Sequence, residues 1–321
     1  MTNLTQENSF SGSSKPSWLK VKAPSGEKYL KIKQNLAKKQ LFTVCEEARC
    51  PNIGECWSGG TATFMILGGV CTRGCKFCNV VTGNPNGWVD VEEPVKIAQS
   101  IQGMGLNYIV ITSVDRDDLE DHGSQHFFQT VEEVKSLSPE MIVEVLTPDW
   151  RGSEHAIRVM AESQAEVLAH NIETVERLQL QVRDPRAGYA QSMKVLELYK
   201  KYREQSNRTV VTKSSLMLGI GEREDEIIQT MKDLLAIGVE VLTLGQYLQP
   251  SARHLKVQEY VKPEKFSYYA KLGEDLGFSY VASGPLVRSS YKAGEYYIEK
   301  ILKGKKSNGS LMGPNDFSLE G

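Results

Sequence analysis

The chain has 321 residues, 38 of them basic and 40 acidic, and 40% are hydrophobic, which is the composition of a globular protein rather than of a disordered chain. The nearly balanced charge argues against a dedicated nucleic-acid-binding protein, which would need a basic surplus. No apolar run approaches the roughly 18 residues of a membrane span, and the polar first 20 residues lack the apolar core of a secretory signal, so we expect a cytoplasmic protein with neither nucleic acid nor membrane as a partner.

The N-terminal part of the chain is polar and then strongly basic. Residues 1–17 are rich in serine and predict a disordered lead-in, and we expect an N-terminal extension at 18–60. Eight lysines and one glutamate lie between Lys15 and Lys39. Within this stretch three apolar residues repeat at the spacing of one helical face: Tyr29, Ile32 and Leu36. The pattern predicts an amphipathic helix whose lysine-rich face is either simply solvated or docks an acidic partner.

From residue 61 onward, strand-like and helix-like segments alternate. Short β-branched or apolar runs predict six strands, at Thr61–Leu67, Tyr108–Ser113, Met141–Leu146, Glu166–His170, Thr209–Leu218 and Val241–Gly245. Helical patterns follow them, at about 93–103, 124–137, 152–163, 188–204, 223–237 and 263–276. Such alternation predicts a parallel sheet with right-handed crossovers. The expected fold class is α/β: a partial parallel (β/α)6 barrel at 61–284, a C-terminal segment at 285–303 and a flexible tail at 304–321.

All six cysteines lie between Cys45 and Cys78, and in a cytosolic enzyme such crowding indicates metal binding or redox chemistry. Three of them form a C-x3-C-x2-C pattern directly after the first strand: Cys71, Cys75 and Cys78. That is the end of the strand at which parallel α/β folds place their sites. Three thiolates on one loop can hold three irons of a cubane and leave the fourth open for a ligand. Structural zinc sites favour C-x2-C pairs that sum to four ligands, so zinc is the weaker interpretation.

The other three cysteines form a second pattern, C-x4-C-x5-C: Cys45, Cys50 and Cys56. Pro51 and Gly54 within it predict a tight, non-helical loop wrapped around a cluster. Three thiolates again leave one iron without a protein ligand. The alternative is that these are redox thiols or buried packing cysteines.

The motifs around these cysteines resemble a known family. The C-x3-C-x2-C spacing, with Phe77 just before the last cysteine, resembles the radical S-adenosylmethionine (SAM) enzymes. The second pattern, within Glu46–Asn52, resembles that of the lipoyl synthase family. Further segments match the same family, at Thr112–Leu119, Leu146–Asp149, His170–Val175, Gly245–Pro250 and Arg288–Tyr291. The resemblance covers about residues 40–295 and departs from the family pattern only locally, at His122, Trp150 and Ser215.

The resemblance implies two [4Fe–4S] clusters and SAM as cofactors. One cluster would be held by Cys71, Cys75 and Cys78 (the radical triplet) and would bind SAM, whose reductive cleavage yields a radical that abstracts hydrogen. The other, auxiliary cluster would be held by Cys45, Cys50 and Cys56 (the auxiliary triplet) and by a serine, which we assign to Ser290 with Ser289 as the fallback. In the family this cluster gives its sulfide to a protein-bound octanoyl-lysine, at carbons 6 and 8.

Contacts to SAM are expected from polar residues near the strand ends, besides Phe77. Ser113 and Asp115, after the second strand, suit the amino end of SAM. Glu144, flanked by valines, must face a polar cavity or a partner, which suits a ribose contact, and Asn171 could serve the same purpose. The alternative for each is a capped loop or a satisfied buried polar group.

Two further features are weaker. Gly219–Glu222 resembles the adenine-side segment of radical SAM barrels, although a bare G-x-G is weak support. Arg183 and Arg186 could steady a carboxylate, but surface arginines are commoner.

The resemblance also implies partners. These are octanoylated lipoyl carrier domains (a dehydrogenase E2 subunit or the glycine-cleavage H protein), an electron donor such as flavodoxin or ferredoxin, and an Fe–S carrier protein. We predict that the carrier domain docks on loops at the barrel mouth and on the Lys15–Lys39 face, whose local charge is +7. Two alternatives are another radical SAM sulfur-inserting enzyme, of the methylthiotransferase or biotin synthase kind, and a zinc-bearing binding module.

Overall fold

The computed structural model describes residues 15–21, 24, 26–39, 41–47, 50–59, 62–104, 106, 108–206, 210–290 and 298. Most of the predicted lead-in, Tyr291 of the Arg288–Tyr291 motif and the tail at 304–321 lie outside these residues. No helix in the described part of the chain combines the length and apolar character needed to cross a bilayer.

The described residues form ten strands and ten α-helices. The strands are β1 Phe42–Thr43, β2 Thr63–Ile66, β3 Val70–Cys71, β4 Val81–Thr82, β5 Tyr108–Ser113, β6 Ile142–Leu146, β7 Val167–Ala169, β8 Val211–Leu218, β9 Val241–Gln246 and β10 Tyr280–Gly284. The helices are α1 Glu27–Lys39, α2 Val44–Glu47, α3 Ile53–Gly59, α4 Glu93–Gln102, α5 Ser124–Leu137, α6 Glu154–Glu162, α7 Gln179–Val182, α8 Tyr189–Gln205, α9 Glu224–Ala236 and α10 Pro263–Leu276. Short 3-10 turns lie at Ser17–Leu19, Trp150–Gly152 and Glu176–Leu178.

One sheet dominates the described chain, with strand order β1-β2-β5-β6-β7-β8-β9-β10. Strand β1 is antiparallel to β2, and the other neighbours are parallel. The predicted α/β class and its six strand–helix units are confirmed. A seventh parallel strand, β10, was not predicted and pairs with β9 from Tyr280↔Val241 to Gly284↔Gly245.

Apolar side chains fill both faces of this sheet. Outside it, Ile97 of α4, Phe127 of α5 and Tyr199 of α8 belong to one buried cluster with strand residues such as Ile109. A separate cluster contains the first residues of several strands (Tyr108, Val167, Val211 and Val241) together with Ile298. Since parallel strands run in one direction, this second cluster marks the amino end of the barrel interior, opposite the cysteines.

The N-terminal extension packs on this barrel. The predicted amphipathic helix is confirmed as α1, with Ile32 and Leu36 buried and the ring of Tyr29 lying 5.1 Å from that of Trp57. The predicted non-helical loop around the auxiliary triplet is wrong, because α2 and α3 carry two of its cysteines. Gly54 lies within α3, where a Cβ would come within 2.8 Å of the backbone of Pro24.

Candidate functional site

A cavity of about 550 Å³ opens at the carboxyl ends of the parallel strands. Its wall includes Met65 of β2, Leu146 of β6, Met217 of β8 and Gly245 of β9. All three cysteines of the radical triplet also line it. The C-terminal segment closes one side, through Val287, Arg288, Ser289 and Ser290. The position agrees with that expected for the site of a parallel α/β fold.

Backbone amides surround the sulfurs of the radical triplet. The N–H groups of Arg73 and Asp115 both lie 3.4 Å from the Sγ of Cys71, and the N–H of Asp184 lies 3.3 Å from the Sγ of Cys75. Burial raises the pKa of Cys71 and Cys75 to about 12. The thiols are therefore protonated at neutral pH, and a metal centre that binds them must displace those protons. The N–H donors suit the sulfur once it is ionised.

Arg73 lies inside the loop of the radical triplet and is almost completely buried. Its guanidinium contacts three carboxylates: Asp149 at 2.7 Å, Asp117 at 2.9 Å and Asp115 at 3.3 Å. The contact with Asp117 uses both Nε and Nη2, at 3.0 and 2.9 Å. Because the carboxylates follow two different strands, Arg73 fixes the cysteine loop to the carboxyl ends of β5 and β6.

The auxiliary triplet surrounds a second, small cavity. Its wall comprises Cys45, Cys50, Cys56, Asn52, Thr63, Arg288 and Ser290. Cys45, Cys50 and Ser290 also line the large cavity, so the two cavities adjoin. The two candidate serines differ in position. Ser290 lines both cavities, whereas Ser289 lines the large cavity and is not among the described residues that line the small one. The structure thus brings residues from the two ends of the described chain around one space.

Side-chain hydrogen bonds connect the loops that carry these residues. The amide Nδ2 of Asn52 donates to the carbonyl of Leu286 at 2.7 Å, and that of Asn79 donates to the carbonyl of Glu47 at 2.8 Å. The first bond joins the auxiliary triplet to the C-terminal segment. The second joins the loop of the radical triplet to the N-terminal extension.

The donor set fits iron–sulfur clusters. No disulfide joins any of the six cysteines, all of which the structure describes. Among the described residues, no three His, Cys, Asp or Glu side chains are grouped as they would be around a single metal ion. The large cavity also has a polar atom that is free to bind a ligand. The Oγ of Ser113 lies in its wall and is buried without a hydrogen-bond partner in the described chain.

Four of the five residues predicted to contact SAM line the large cavity: Phe77, Ser113, Asp115 and Asn171. Burial raises the pKa of Asp115 to about 6, against the effect of the neighbouring Arg73. The side-chain amide of Asn171 donates to Glu173 at 3.2 Å. Asn171 and Glu173 therefore present a polar pair to the cavity from the loop after β7.

Glu144, the fifth, is not among the described residues that line the cavity, so the prediction of a ribose contact is not supported by its position. Its carboxylate accepts hydrogen bonds from the Nζ of Lys213, 2.8 Å from each oxygen, and from the hydroxyl of Tyr108 at 2.5 Å. It lies in the middle of β6, two residues before Leu146 at the carboxyl end. The charged side chain between two valines is explained by an ion pair inside the barrel.

Two weaker predictions have different outcomes. Gly219–Glu222 forms a turn in which the carboxylate of Glu222 accepts from the N–H groups of Gly219 and Ile220 at 2.5 and 2.9 Å, and none of these described residues lines the cavity. Arg183 is buried and lines the cavity, so the expectation of a surface position is wrong for it. Arg186 is partly exposed and pairs with Asp184 at 2.8 Å.

Sequence reasoning did not select Arg73 or Glu173. Arg73 could have been found from the sequence, because it is a charged residue between two cysteines of the radical triplet in a chain that also has an acidic cluster at 115–118. Glu173 has a left-handed backbone, with φ of 65°, which sequence does not reveal for a residue other than glycine.

Comparison with known proteins identifies the family. A family model described as the Radical SAM superfamily matches residues 65–234, and one described as the N-terminal domain of lipoyl synthase of the Radical SAM family matches residues 2–50. The lipoyl synthase of Ectopseudomonas mendocina (strain ymp) is 55% identical over 288 residues, which cover 90% of this chain and 81% of that protein. This chain belongs to the lipoyl synthase family.

Lipoyl synthases from plants are similar to this chain at nearly the same sequence identity. The mitochondrial lipoyl synthase of Vitis vinifera is 54% identical and covers 90% of this chain and 74% of its own length. The chloroplastic lipoyl synthase of Ricinus communis is 54% identical, with 92% and 81% covered. Among solved structures, the FeFe-hydrogenase maturase HydG from Carboxydothermus hydrogenoformans has a TM-score of 0.53 at 14% identity, covering 85% of this chain and 78% of that one. That likeness concerns the fold alone.

Membership of the lipoyl synthase family confirms several predictions. The chain is a radical SAM sulfurtransferase whose activity is lipoyl synthesis, and its cofactors are SAM and [4Fe–4S] clusters. Membership of this family favours lipoyl synthesis over both alternatives raised from the sequence, which are a methylthiotransferase or biotin-synthase-like enzyme and a zinc-bearing binding module.

Proposed function

We propose that this chain carries out lipoyl synthesis with one [4Fe–4S] cluster on the radical triplet and the other on the auxiliary triplet and Ser290. The observation that carries the proposal is the shared wall of the two cavities, to which Cys45, Cys50 and Ser290 contribute. When bound, SAM and the two clusters supply the hydrogen abstraction and the sulfur. The role of the protein is to present both to one substrate chain at short range.

The substrate proposed for the large cavity is an octanoyl chain linked to a lysine of a lipoyl carrier domain. Apolar side chains of the cavity wall can contact its methylene groups and exclude water: Val44, Met65, Val80, Leu146 and Leu248. The cavity passes between the two triplets. A chain lying there therefore has its reacting carbons between them.

On the radical side, we assign the binding of SAM to polar groups at the strand ends. The unpartnered hydroxyl of Ser113 and the amide of Asn171 can bind the polar groups of SAM. The carboxylate of Asp115 can accept hydrogen bonds from its amino group, while Arg73 keeps that carboxylate oriented. Phe77 contributes an aromatic wall.

The division of the chain is proposed to follow these roles. The extension at 18–60 supplies the auxiliary triplet, the barrel at 61–284 supplies the radical triplet, and the segment at 285–303 supplies Ser290. Most of the lead-in at 1–17 and the whole tail at 304–321 lie outside the described residues, and the proposed compartment is the cytoplasm.

The carrier domain is proposed to dock beside the mouth of the cavity. Lys15, the first lysine of the Lys15–Lys39 face, lines the large cavity. The face therefore begins at the rim, where the acyl-lysine arm must enter. Either proposed carrier, the dehydrogenase E2 subunit or the glycine-cleavage H protein, would approach this rim. Flavodoxin or ferredoxin as reductant, and an Fe–S carrier protein that rebuilds the cluster, complete the proposed partners.

The test of the function is the mass of the carrier domain. The protein is reconstituted anaerobically with iron and sulfide and then given SAM, a reductant and an octanoylated carrier domain. We expect the carrier to gain two sulfur atoms with the unaltered chain, and none with Ser290→Ala, whereas the matched variant Ser289→Ala remains active. An unchanged carrier in the presence of both clusters and of SAM cleavage would contradict the proposed substrate.

Docking is tested separately by reversing the charge of Lys31, Lys33 and Lys38, which are exposed on α1. We expect slower turnover of the whole carrier domain and unchanged turnover of a short octanoylated peptide. Equal rates of the altered and unaltered proteins with the whole domain would refute docking on this face.

A further inference from the structure

Arg288 occupies the boundary between the two cavities. It is one of the residues that line both of them. Its Nη1 donates to two backbone carbonyls, that of Val287 at 2.7 Å and that of Gln246 at 3.4 Å. These bonds fix the guanidinium against the end of β9 and leave its other N–H groups available to a ligand.

The segment that carries Arg288 has little freedom to move. A Cβ on Gly245 would overlap the carbonyl oxygen of Val287 and come within 3.4 Å of the Nη1 of Arg288. Glycine is therefore required at the end of β9 for this approach. The hydrogen bond from Asn52 to the carbonyl of Leu286 restrains the same segment from the other side.

Arg288 has no carboxylate counter-ion in the part of the chain that the structure describes. Among the described residues, no carboxylate lies within ion-pair distance of its guanidinium, unlike that of Arg73 or Arg116. Burial lowers the pKa of the Arg288 guanidinium, and the thiolate form of Cys50 in the auxiliary triplet opposes that effect. Arg288 is partly buried, and a cation withdrawn from water without a partner is costly, so the fold is expected to supply an anion at this point.

The auxiliary cluster would be such an anion. A [4Fe–4S] core in its usual oxidised state, bound by three thiolates and one serine alkoxide, carries a net charge of about −2. That charge is buried together with Cys45 and Cys56. It becomes more negative by one unit when the cluster accepts an electron, so a fixed cation at its edge favours the reduced state.

We propose that Arg288 is the counter-ion of the auxiliary cluster and sets its reduction potential and its retention. This inference rests on the proposed assignment of the auxiliary triplet and Ser290. Arg288 acts here as a positioning residue: its guanidinium compensates the charge of the cluster from the wall that it shares with Cys50. Because Arg288 also lines the large cavity, its positive charge lies on the side of the auxiliary site that the octanoyl chain approaches.

The experiment isolates one cluster. In the full-length chain the radical triplet is replaced by alanine, so that iron bound after reconstitution belongs to the auxiliary site. Arg288→Gln and Arg288→Lys are then compared with this parent in an electron paramagnetic resonance redox titration and in the rate of iron loss to a chelator. Arg177→Gln is the matched control, because Arg177 is an exposed arginine that pairs with Glu226.

We expect Arg288→Gln to make reduction of the cluster at least tenfold less favourable, a fall of about 59 mV for one electron, and to accelerate iron loss. Arg288→Lys keeps the positive charge and should recover most of both properties, and Arg177→Gln should match the parent. If Arg288→Gln binds no cluster while folded Arg288→Lys does, the charge is again the cause.

Two results would overturn the inference. A parent that binds one cluster, with Arg288→Gln unchanged in potential and in iron loss, refutes the role of Arg288 and leaves the proposed function intact. Failure of Arg288→Lys as complete as that of Arg288→Gln, in protein whose circular dichroism is unaltered, shows that charge is not what matters. A folded parent that binds no cluster refutes the assignment of the auxiliary site itself.

Discussion

The side-chain amide of Asn52 donates a hydrogen bond to the carbonyl of Leu286 across 234 residues of sequence, at a distance of 2.7 Å. Asn52 lies between two cysteines of the auxiliary triplet, and Leu286 lies four residues before Ser290. The bond therefore joins the two parts of the chain that line the small cavity. It is one of the contacts that hold the C-terminal segment beside the auxiliary triplet.

Replacing that amide should loosen the auxiliary site selectively. In Asn52→Ala the carbonyl of Leu286 loses its donor, at a cost of about 1 kcal/mol in the free energy of unfolding. We expect reconstituted Asn52→Ala to retain less iron at the auxiliary triplet while the radical triplet still cleaves SAM. Iron and sulfide analysis measures this, with the exposed Asn84→Ala as control. Equal iron content in both variants would contradict the role of the bond.

Removing Arg73 should destabilise the protein strongly. Arg73→Gln leaves Asp115, Asp117 and Asp149 close together without their shared cation, for which we expect a loss of about 3–5 kcal/mol in urea unfolding of the metal-free protein. Arg186→Gln is the control, because that side chain is 40% exposed and its pairs should contribute at most about 1 kcal/mol. Similar losses in the two variants would show that burial of Arg73 is not decisive.

The position of Glu144 predicts a stability defect without a SAM-binding defect. Glu144→Gln leaves Lys213 buried with an uncompensated charge, so we expect a loss of about 3 kcal/mol or more. Adding Lys213→Met should restore most of it, since both charges are then gone. SAM affinity, measured by calorimetry on the loaded protein, should stay unchanged. Weaker SAM binding by a fully folded Glu144→Gln variant would show that Glu144 does contribute to the SAM site.

His170 predicts a loss of stability in mild acid. Burial lowers the pKa of His170 to about 4, with Arg183 and Arg73 acting in the same direction and Asp149 against it, whereas the value in an unfolded chain is 6.5. Between these values the unfolded chain binds a proton that the folded protein does not, so stability is present above pH 6.5 and is lost as the pH falls toward 4, by about 3 kcal/mol.

Urea unfolding of the metal-free protein at pH 7 and at pH 4.5 measures this loss. His170→Asn should lose less stability than the unaltered chain over the same range. The exposed His155→Asn serves as control and should follow the unaltered chain. A loss in His170→Asn as large as that of the control would exclude burial of His170 as the cause.

The barrel was predictable because its periodicities are strong. The strand of β5 was predicted with its observed bounds, and the helices α5 and α10 likewise, since each is a clear apolar run or a clear helical face between turn residues. Strand β10 was missed because Tyr280–Gly284 is short and mixes one valine with alanine, serine and glycine. Its backbone hydrogen bonds with β9 stabilise the extended conformation that its own sequence favours only weakly.

The candidate site could be predicted only where the spacing of residues along the sequence indicates their chemistry. The two triplets follow from cysteine spacing, but the partner of Glu144 is Lys213, which lies 69 residues away and reaches it across the barrel interior. The contacts of Arg73 with Asp117 and Asp149 are equally non-local. A single sequence shows that a charge must be compensated and does not show which residue compensates it.

The small cavity also constrains the order of assembly in the cell. Cys45, Cys50 and Cys56 are synthesised long before Arg288 and Ser290, the other residues that this wall needs. A nascent chain with both triplets exposed has neither the serine nor the arginine in place. This wall can therefore enclose iron and sulfide only after residue 290 has been synthesised, and a chain terminated before residue 288 would be left with three thiols and an open edge.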